Sequence, residues 1–197
     1  MKLGSLILLL FLSVFCKGQE TELILNDSSY IYRSVEEIKA HPERVFRLNL
    51  SKQKLDTFPP EIFECTNLIE LDLSKNKIEE IPPQIGRLIN LEKLSMANNG
   101  LVHLPKEIGK LTQLKYLGLN RNILEDLPAE IGDLENLEVF EMWDNELKDL
   151  PDEMGKLTNL KILEIRGILF TEEQQARIDN MIVKTAKILM SPACNCK

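Results

Sequence analysis

The stretch 114–136 reads LKYLGLNRNILEDLPAEIGDLEN. Its framework residues Leu114, Leu117, Leu119, Asn122, Leu124, Leu127 and Pro128 recur 23 residues earlier as Leu91, Leu94, Met96, Asn99, Leu101, Leu104 and Pro105. One period further back they are Leu68, Leu71, Leu73, Asn76, Ile78, Ile81 and Pro82, and one period ahead Leu137, Phe140, Met142, Asn145, Leu147, Leu150 and Pro151. A period this strict is the signature of a solenoid, in which each unit buries its apolar edge only by stacking on a neighbour.

Within one copy the physics is local. The run L-x-x-L-x-L alternates over its second half, so Leu71 and Leu73 point into a core while Asp72 and Ser74 point out, as a short strand requires. Stacked copies then form a parallel sheet. Asn76, Asn99, Asn122 and Asn145 fall where the chain leaves each strand, and an amide there has donors and an acceptor for turn backbone in its own and the adjacent copy, which predicts an Asn ladder. Pro82, Pro105, Pro128 and Pro151 set an extended backbone, and Gly86, Gly109, Gly132 and Gly155 permit a tight turn or a close approach. A helical or 3₁₀ turn fits that segment.

The pattern L-x-x-L-x-L-x-x-N-x-L-x-x-L-P-x-x-I-G-x-L resembles the leucine-rich repeat, and the resemblance, closest to small exported bacterial members, runs from Val45 to about Phe170. It implies an α/β fold: a curved solenoid with short parallel strands on its concave side, short helical or 3₁₀ turns on its convex side and helical caps at both ends. It also implies a module that binds a protein ligand through variable concave strand residues.

The array is six copies, residues 45–170, with atypical ends. Gln53 stands for the ladder Asn and Phe63 for the Gly in the first copy, and Ile168 for the Asn in the sixth. Terminal units of a solenoid have one neighbour and depart from consensus as caps. Residues 19–44 form an N-terminal capping segment, in which Ser34-Val35-Glu36-Glu37 opens a short helix that Pro42 should end. Residues 171–190 are expected to form a C-terminal capping helix, opened by Thr171-Glu172-Glu173-Gln174 and carrying Ile178, Met181, Ile182 and Leu189 at helical spacing. Residues 191–197 are left as a flexible tail.

Residues 1–18 are of another kind. Met1-Lys2 and the apolar run Leu6 to Phe15 suit a secretory signal and are too short to span a bilayer, with cleavage expected after Gly18. The expected location is secreted, periplasmic or at the cell surface. Cys16 offers a competing reading as the lipid-bearing residue of a surface-anchored lipoprotein adhesin, against which bulky Phe15 counts. The L-P-x-x-I-G subtype also looks like that of intracellular scaffolds, so retention of the first 18 residues would make this a cytoplasmic signalling scaffold.

Three cysteines would remain after Gly18. Cys65 takes the place of Leu88, Leu111, Leu134 and Leu157 and should be buried and inert. Cys194 and Cys196 stand two apart, leaving open a local disulfide, pairing to another chain, or plain thiols. Asn26-Asp27-Ser28 and Asn49-Leu50-Ser51 match the glycosylation acceptor pattern.

The net charge is −7 for the whole chain. Acidic charge repels phosphate backbones and no Lys/Arg stripe dominates the outward strand positions, so nucleic acid is not an expected partner. No P-loop, G-x-G-x-x-G, H-E-x-x-H or G-x-S-x-G is present, and His41 and His103 have no evident nucleophile or carboxylate partner in a pocket. No catalytic residue, metal or cofactor is expected.

Recognition is left to the outward strand residues. Arg47, Glu70, Lys93, Tyr116, Val139 and Ile162 stand at the third position of successive copies, Asn49, Asp72, Ser95, Gly118, Glu141 and Glu164 at the fifth, and Ser51, Ser74, Ala97, Asn120, Trp143 and Arg166 at the seventh. Neighbouring strands lie roughly 4.8 Å apart, so Tyr116, Val139 and Ile162 should form an apolar row with Trp143 and Arg166 alongside and Glu141, Asp144 and Glu164 on its rim. Trp, Tyr and Arg are enriched at the energetic centres of interfaces. Tyr116, Val139, Glu141, Trp143, Ile162, Glu164 and Arg166 are the candidate partner-binding site; the competing expectation is that the protein's own C-terminal lid or a neighbouring copy covers them.

Overall fold

The computed structural model describes residues 28–193. The signal-like segment with Cys16, Asn26, and the tail cysteines Cys194 and Cys196 lie outside the described residues.

Seven strands among the described residues form one parallel sheet in chain order: β1 (Arg47–Asn49), β2 (Glu70–Asp72), β3 (Lys93–Ser95), β4 (Tyr116–Gly118), β5 (Val139–Glu141), β6 (Ile162–Ile165) and β7 (Lys187–Met190). From β1 to β6 the register advances by one repeat, Leu71 pairing with Leu94, Leu94 with Leu117 and Leu117 with Phe140. From β1 to β5 the middle residue of each strand is buried while its flanking residues face outward. That alternation is the sequence period of 2 made physical.

Behind the sheet each of the first five copies makes one 3₁₀ turn: Pro60–Glu64, Pro83–Arg87, Lys106–Lys110, Ala129–Asp133 and Asp152–Lys156. Each is entered through an extended proline, from Pro59 to Pro151, whose fixed φ sets up the turn. The repeated glycine serves close approach: a methyl group on Gly109 would sit 2.6 Å from the Glu130 carbonyl oxygen of the next turn. The core runs continuously between sheet and turns, from Val45 and Leu48 through Leu94, Leu117 and Phe140 to Leu163 and Phe170.

The Asn residues fasten the strand exits. The Asn122 side-chain amide donates to the carbonyls of Leu119 (2.8 Å) and Met96 (3.1 Å) and accepts from Leu101 N–H (3.1 Å). Asn145 donates to Met142 and Leu119, and Asn99 to Met96 and Leu73. Asn76 donates to Leu73 and Leu50 and accepts from Gln53 N–H, while the Gln53 amide donates outward to the Arg33 carbonyl. The residue before the ladder position turns into the left-handed region in every copy, including the end copies with Gln53 and Ile168 there: Lys52, Lys75, Asn98, Arg121 and Asp144 have φ of 54° to 62°, and Gly167 has 77°. Away from glycine this conformation costs roughly 1 kcal/mol or more, held here by the ladder bonds on either side.

The ends differ from a pure helical lid. At the front, α1 (Val35–Ile38) is capped by the Ser34 side chain and ends at Lys39, so Pro42 does not stop it but opens a separate 3₁₀ turn, Pro42–Arg44. Beside it the Tyr32 backbone bonds β1, donating to Arg47 O (3.0 Å) and accepting from Asn49 N–H (2.8 Å). At the back, the capping box closes between Thr171 and Gln174, yet α2 (Glu172–Met181) ends ten residues in. The helix expected to reach residue 190 is corrected: Leu189 belongs to β7, which pairs with β6 from Ile162↔Lys187 to Ile165↔Met190. Without β7 the outer N–H and C=O groups of β6 would form an open edge, and the apolar β-prone run 187–190 satisfies them. Ile178 and Ile182 are buried, as their helical spacing suggests.

Candidate functional site

The outward face of the sheet divides in two. Over β1 to β3 it is polar and internally paired. Arg47 donates to Glu70 (Nε to Oε2, 2.8 Å) and Lys93 Nζ donates to Glu70 Oε1 (2.9 Å), so one carboxylate joins three copies. Burial alone would raise the Glu70 pKa, but the hydrogen bonds from Lys93 and Arg47 outweigh it and hold the carboxyl below its usual range. Asn49 donates to Asp72 (3.2 Å) and its side-chain carbonyl accepts from Ser51, so the amide of that glycosylation triplet is already engaged. These groups line a depression of about 280 Å³ that ends at Tyr116. The sequence carried a sign of it in the alternating charges at the third repeat position, Arg47, Glu70 and Lys93.

Over β4 to β6 the face is more apolar. Tyr116, Val139 and Ile162 stand in direct register and are all half-buried. The Tyr116 ring lies over Gly118, where any side chain would collide with it, and its hydroxyl donates to Glu141 Oε2 (2.9 Å). Burial first, then that bond to a carboxylate, raises the Tyr116 pKa and keeps the phenol protonated. Trp143 is half-buried, and the guanidinium of Arg121 from the previous copy sits 4.7 Å from its ring centre. Such a contact contributes about 0.5–1 kcal/mol at an exposed site and fixes the indole plane.

Glu164 departs from its expected role as an open rim carboxylate. It is buried and held by Arg166, whose Nε lies 2.8 Å from Oε1. The physical reason is β7, which sets Leu189 directly beside Glu164. β7 extends the sheet sideways, and α2 is held to the last 3₁₀ turn through Arg177, which donates to Asp152. The seven candidate residues are thus brought onto one face, with Glu141 and Glu164 each committed to a neighbour.

Cys65 is fully buried, and burial above all pushes its thiol up to about 12. His103 pairs with Asp126 (3.0 Å) on an exposed edge. Among the described residues no cluster of three His, Cys, Asp or Glu could hold a metal ion, and no helix is long and apolar enough to cross a membrane.

A parallel-strand solenoid with its variable side chains displayed on one sheet face is a repeat scaffold. Two family models match it, one described as leucine rich repeat over residues 43–101 and one as leucine-rich repeat region over residues 98–182. The chain belongs to the leucine-rich repeat family. Among solved structures it is similar to a leucine-rich repeat protein of Leptospira interrogans, at 30% identity and a TM-score of 0.64, covering 84% of this chain and 49% of that one. It is also similar to the leucine-rich repeat ectodomain of the Arabidopsis thaliana membrane receptor kinase GASSHO1/SCHENGEN3, in complex with Casparian strip integrity factor 2. There the identity is 25% and the TM-score 0.61, covering 80% of this chain and 20% of that one. This chain therefore spans about half the length of the first and a fifth of the second. No curated protein sequence matches it. Leucine-rich repeat domains commonly mediate protein–protein binding and are typically not enzymes.

Proposed function

We propose that this protein is an exported, non-catalytic binding module that captures a protein partner on the β4 to β6 half of its sheet face. Contact is made by Tyr116, Val139, Glu141, Trp143, Ile162, Glu164 and Arg166. The observation that carries this reading is Trp143: a large aromatic with no core role, oriented by Arg121, beside an apolar row in strand register. Pre-oriented aromatic and Arg groups cost little further ordering on binding and dominate interface energetics. The complex of the plant ectodomain with Casparian strip integrity factor 2 fits the same use of the fold. Export rests on Met1-Lys2 and the apolar run to Phe15, with removal of residues 1–18 giving a secreted, periplasmic or surface protein of net charge −9, since Lys2 and Lys17 are lost from −7.

Affinity capture with the mature chain, read by mass spectrometry, tests both parts. Trp143→Ala should weaken partner recovery by roughly 30-fold, as loss of a 2 kcal/mol hot spot does, while the melting temperature moves little. Unchanged capture with a large fall in melting temperature would refute the binding face. A mature N-terminus at Met1 would refute export.

A further inference from the structure

Beside the sheet face, the edge where each strand exits carries the eighth, tenth and twelfth residues of every copy. Contacts between copies show that these positions align in rows: Arg121 faces Asp144, and Lys148 donates to Glu125 at 2.6 Å. Elsewhere a cation meets a carboxylate one repeat away, as in Lys93–Glu70, Lys115–Glu92 and Lys161–Glu138. The first two copies break that habit on this edge. The second copy presents Lys75, Lys77 and Glu79, all exposed, and Lys75 and Lys77 have Lys52 and Lys54 as their row neighbours in the first. Among the described residues these four lysines make no ion pair. Like charges one strand spacing apart destabilise the free chain.

The fifth copy presents Asp144, Glu146 and Lys148 at the same three positions, all exposed and each opposite in charge to its counterpart in the second. Between them, the third copy offers Gly100 where the fourth exposes Ile123 at 46%. A two-fold axis lying in the interface across the stack, midway between the third and fourth copies, exchanges second with fifth and third with fourth while preserving position within the repeat. It sets Lys75 against Asp144, Lys77 against Glu146 and Glu79 against Lys148, each twice, and Ile123 against Gly100.

We propose that this edge is an interface between two copies of this chain, packed antiparallel. It adjoins the Trp143 face at Arg121, whose guanidinium lies over the Trp143 ring, and uses none of the seven residues proposed to contact a partner there. A pattern of three charges reversed at matching positions is self-complementary under this symmetry alone. A contact built on exposed ion pairs is weak and dissociates as salt shortens the Debye length to roughly 3 Å at 1 M.

Sedimentation velocity of the mature full chain at roughly 100 μM, well above the micromolar range in which such contacts dissociate, is the test. The variants exchange residues that the repeat already carries at those positions: Lys75→Asp with Lys77→Glu in one chain, Asp144→Lys with Glu146→Lys in another. Each should be folded by circular dichroism and associate at least 10-fold more weakly than the unaltered chain. A mixture of the two should dimerise again, because both sets of contacts are then opposite in sign. A monomeric unaltered chain at low salt, a dimer indifferent to both variants, or a mixture that stays monomeric would overturn the proposal. So would a monomer whose lysines instead capture hexaglutamate, which would assign them to a foreign acidic segment.

Discussion

Replacing Asn122 by alanine removes three hydrogen bonds from the middle of the stack: two donated to Leu119 and Met96 and one accepted from Leu101. Asn122 is 6% exposed, so water does not readily replace the amide. A neutral bond contributes about 1 kcal/mol net, and a buried partner left unsatisfied costs about 1–3 kcal/mol. The Leu119 and Met96 carbonyls keep bonds from Asn145 and Asn99, so the Leu101 N–H alone is orphaned, and its cost with that of the two lost donations sets the loss at roughly 3–5 kcal/mol. Against the roughly 5–15 kcal/mol that holds a typical domain, this is a large fraction. The part-buried Asn99 makes the same two donations with more water nearby, so Asn99→Ala should cost less. Equilibrium urea unfolding followed by far-ultraviolet circular dichroism measures both, with Asn120→Ala on the sheet face as the reference. An Asn122→Ala midpoint indistinguishable from that of Asn120→Ala would show that the ladder is not what holds the strand exits.

Two further outcomes are expected. Gly109→Ala should destabilise by about 1–3 kcal/mol, because the new methyl group meets backbone of the adjacent turn and that turn cannot give way without disturbing its own packing; wild-type stability in the same urea experiment would contradict the close approach. Glu70 has a folded pKa below its unfolded value of about 4.3, so its contribution is complete above that value and is lost as pH falls through the folded one. Glu70→Gln should therefore flatten the acid limb of the stability profile, and an unchanged limb would place the acid sensitivity elsewhere.

Much of the architecture was legible because a solenoid repeats its surroundings. Leu71, Leu94, Leu117 and Phe140 each meet the same neighbours one rung away, so a local pattern already describes tertiary packing. The strand positions, the bonding partners of the Asn residues and the single turn after each proline follow from period and residue chemistry. The cap was harder. The run 187–190 carries Ile188, Leu189 and Met190, apolar residues that suit a helix face or a strand equally, and its neighbours in sequence favour the helix.

The left-handed residues were also hidden, because Lys52, Lys75, Arg121 and Asp144 stand where glycine would have announced the turn and only Gly167 does. On the sheet face, one-dimensional order named the residues but not their pairings: Tyr116 with Glu141, Arg121 over Trp143, and Glu164 drawn down by Arg166 and flanked by Leu189. Periodicity and composition by themselves determined a stack of leucine-lined coils and which side chains point away from it. Only the tertiary structure decided how the last edge closes and which charges neutralise one another, since open strand edges and carboxylates take whatever partner lies within bonding distance, and that distance is not written along the chain.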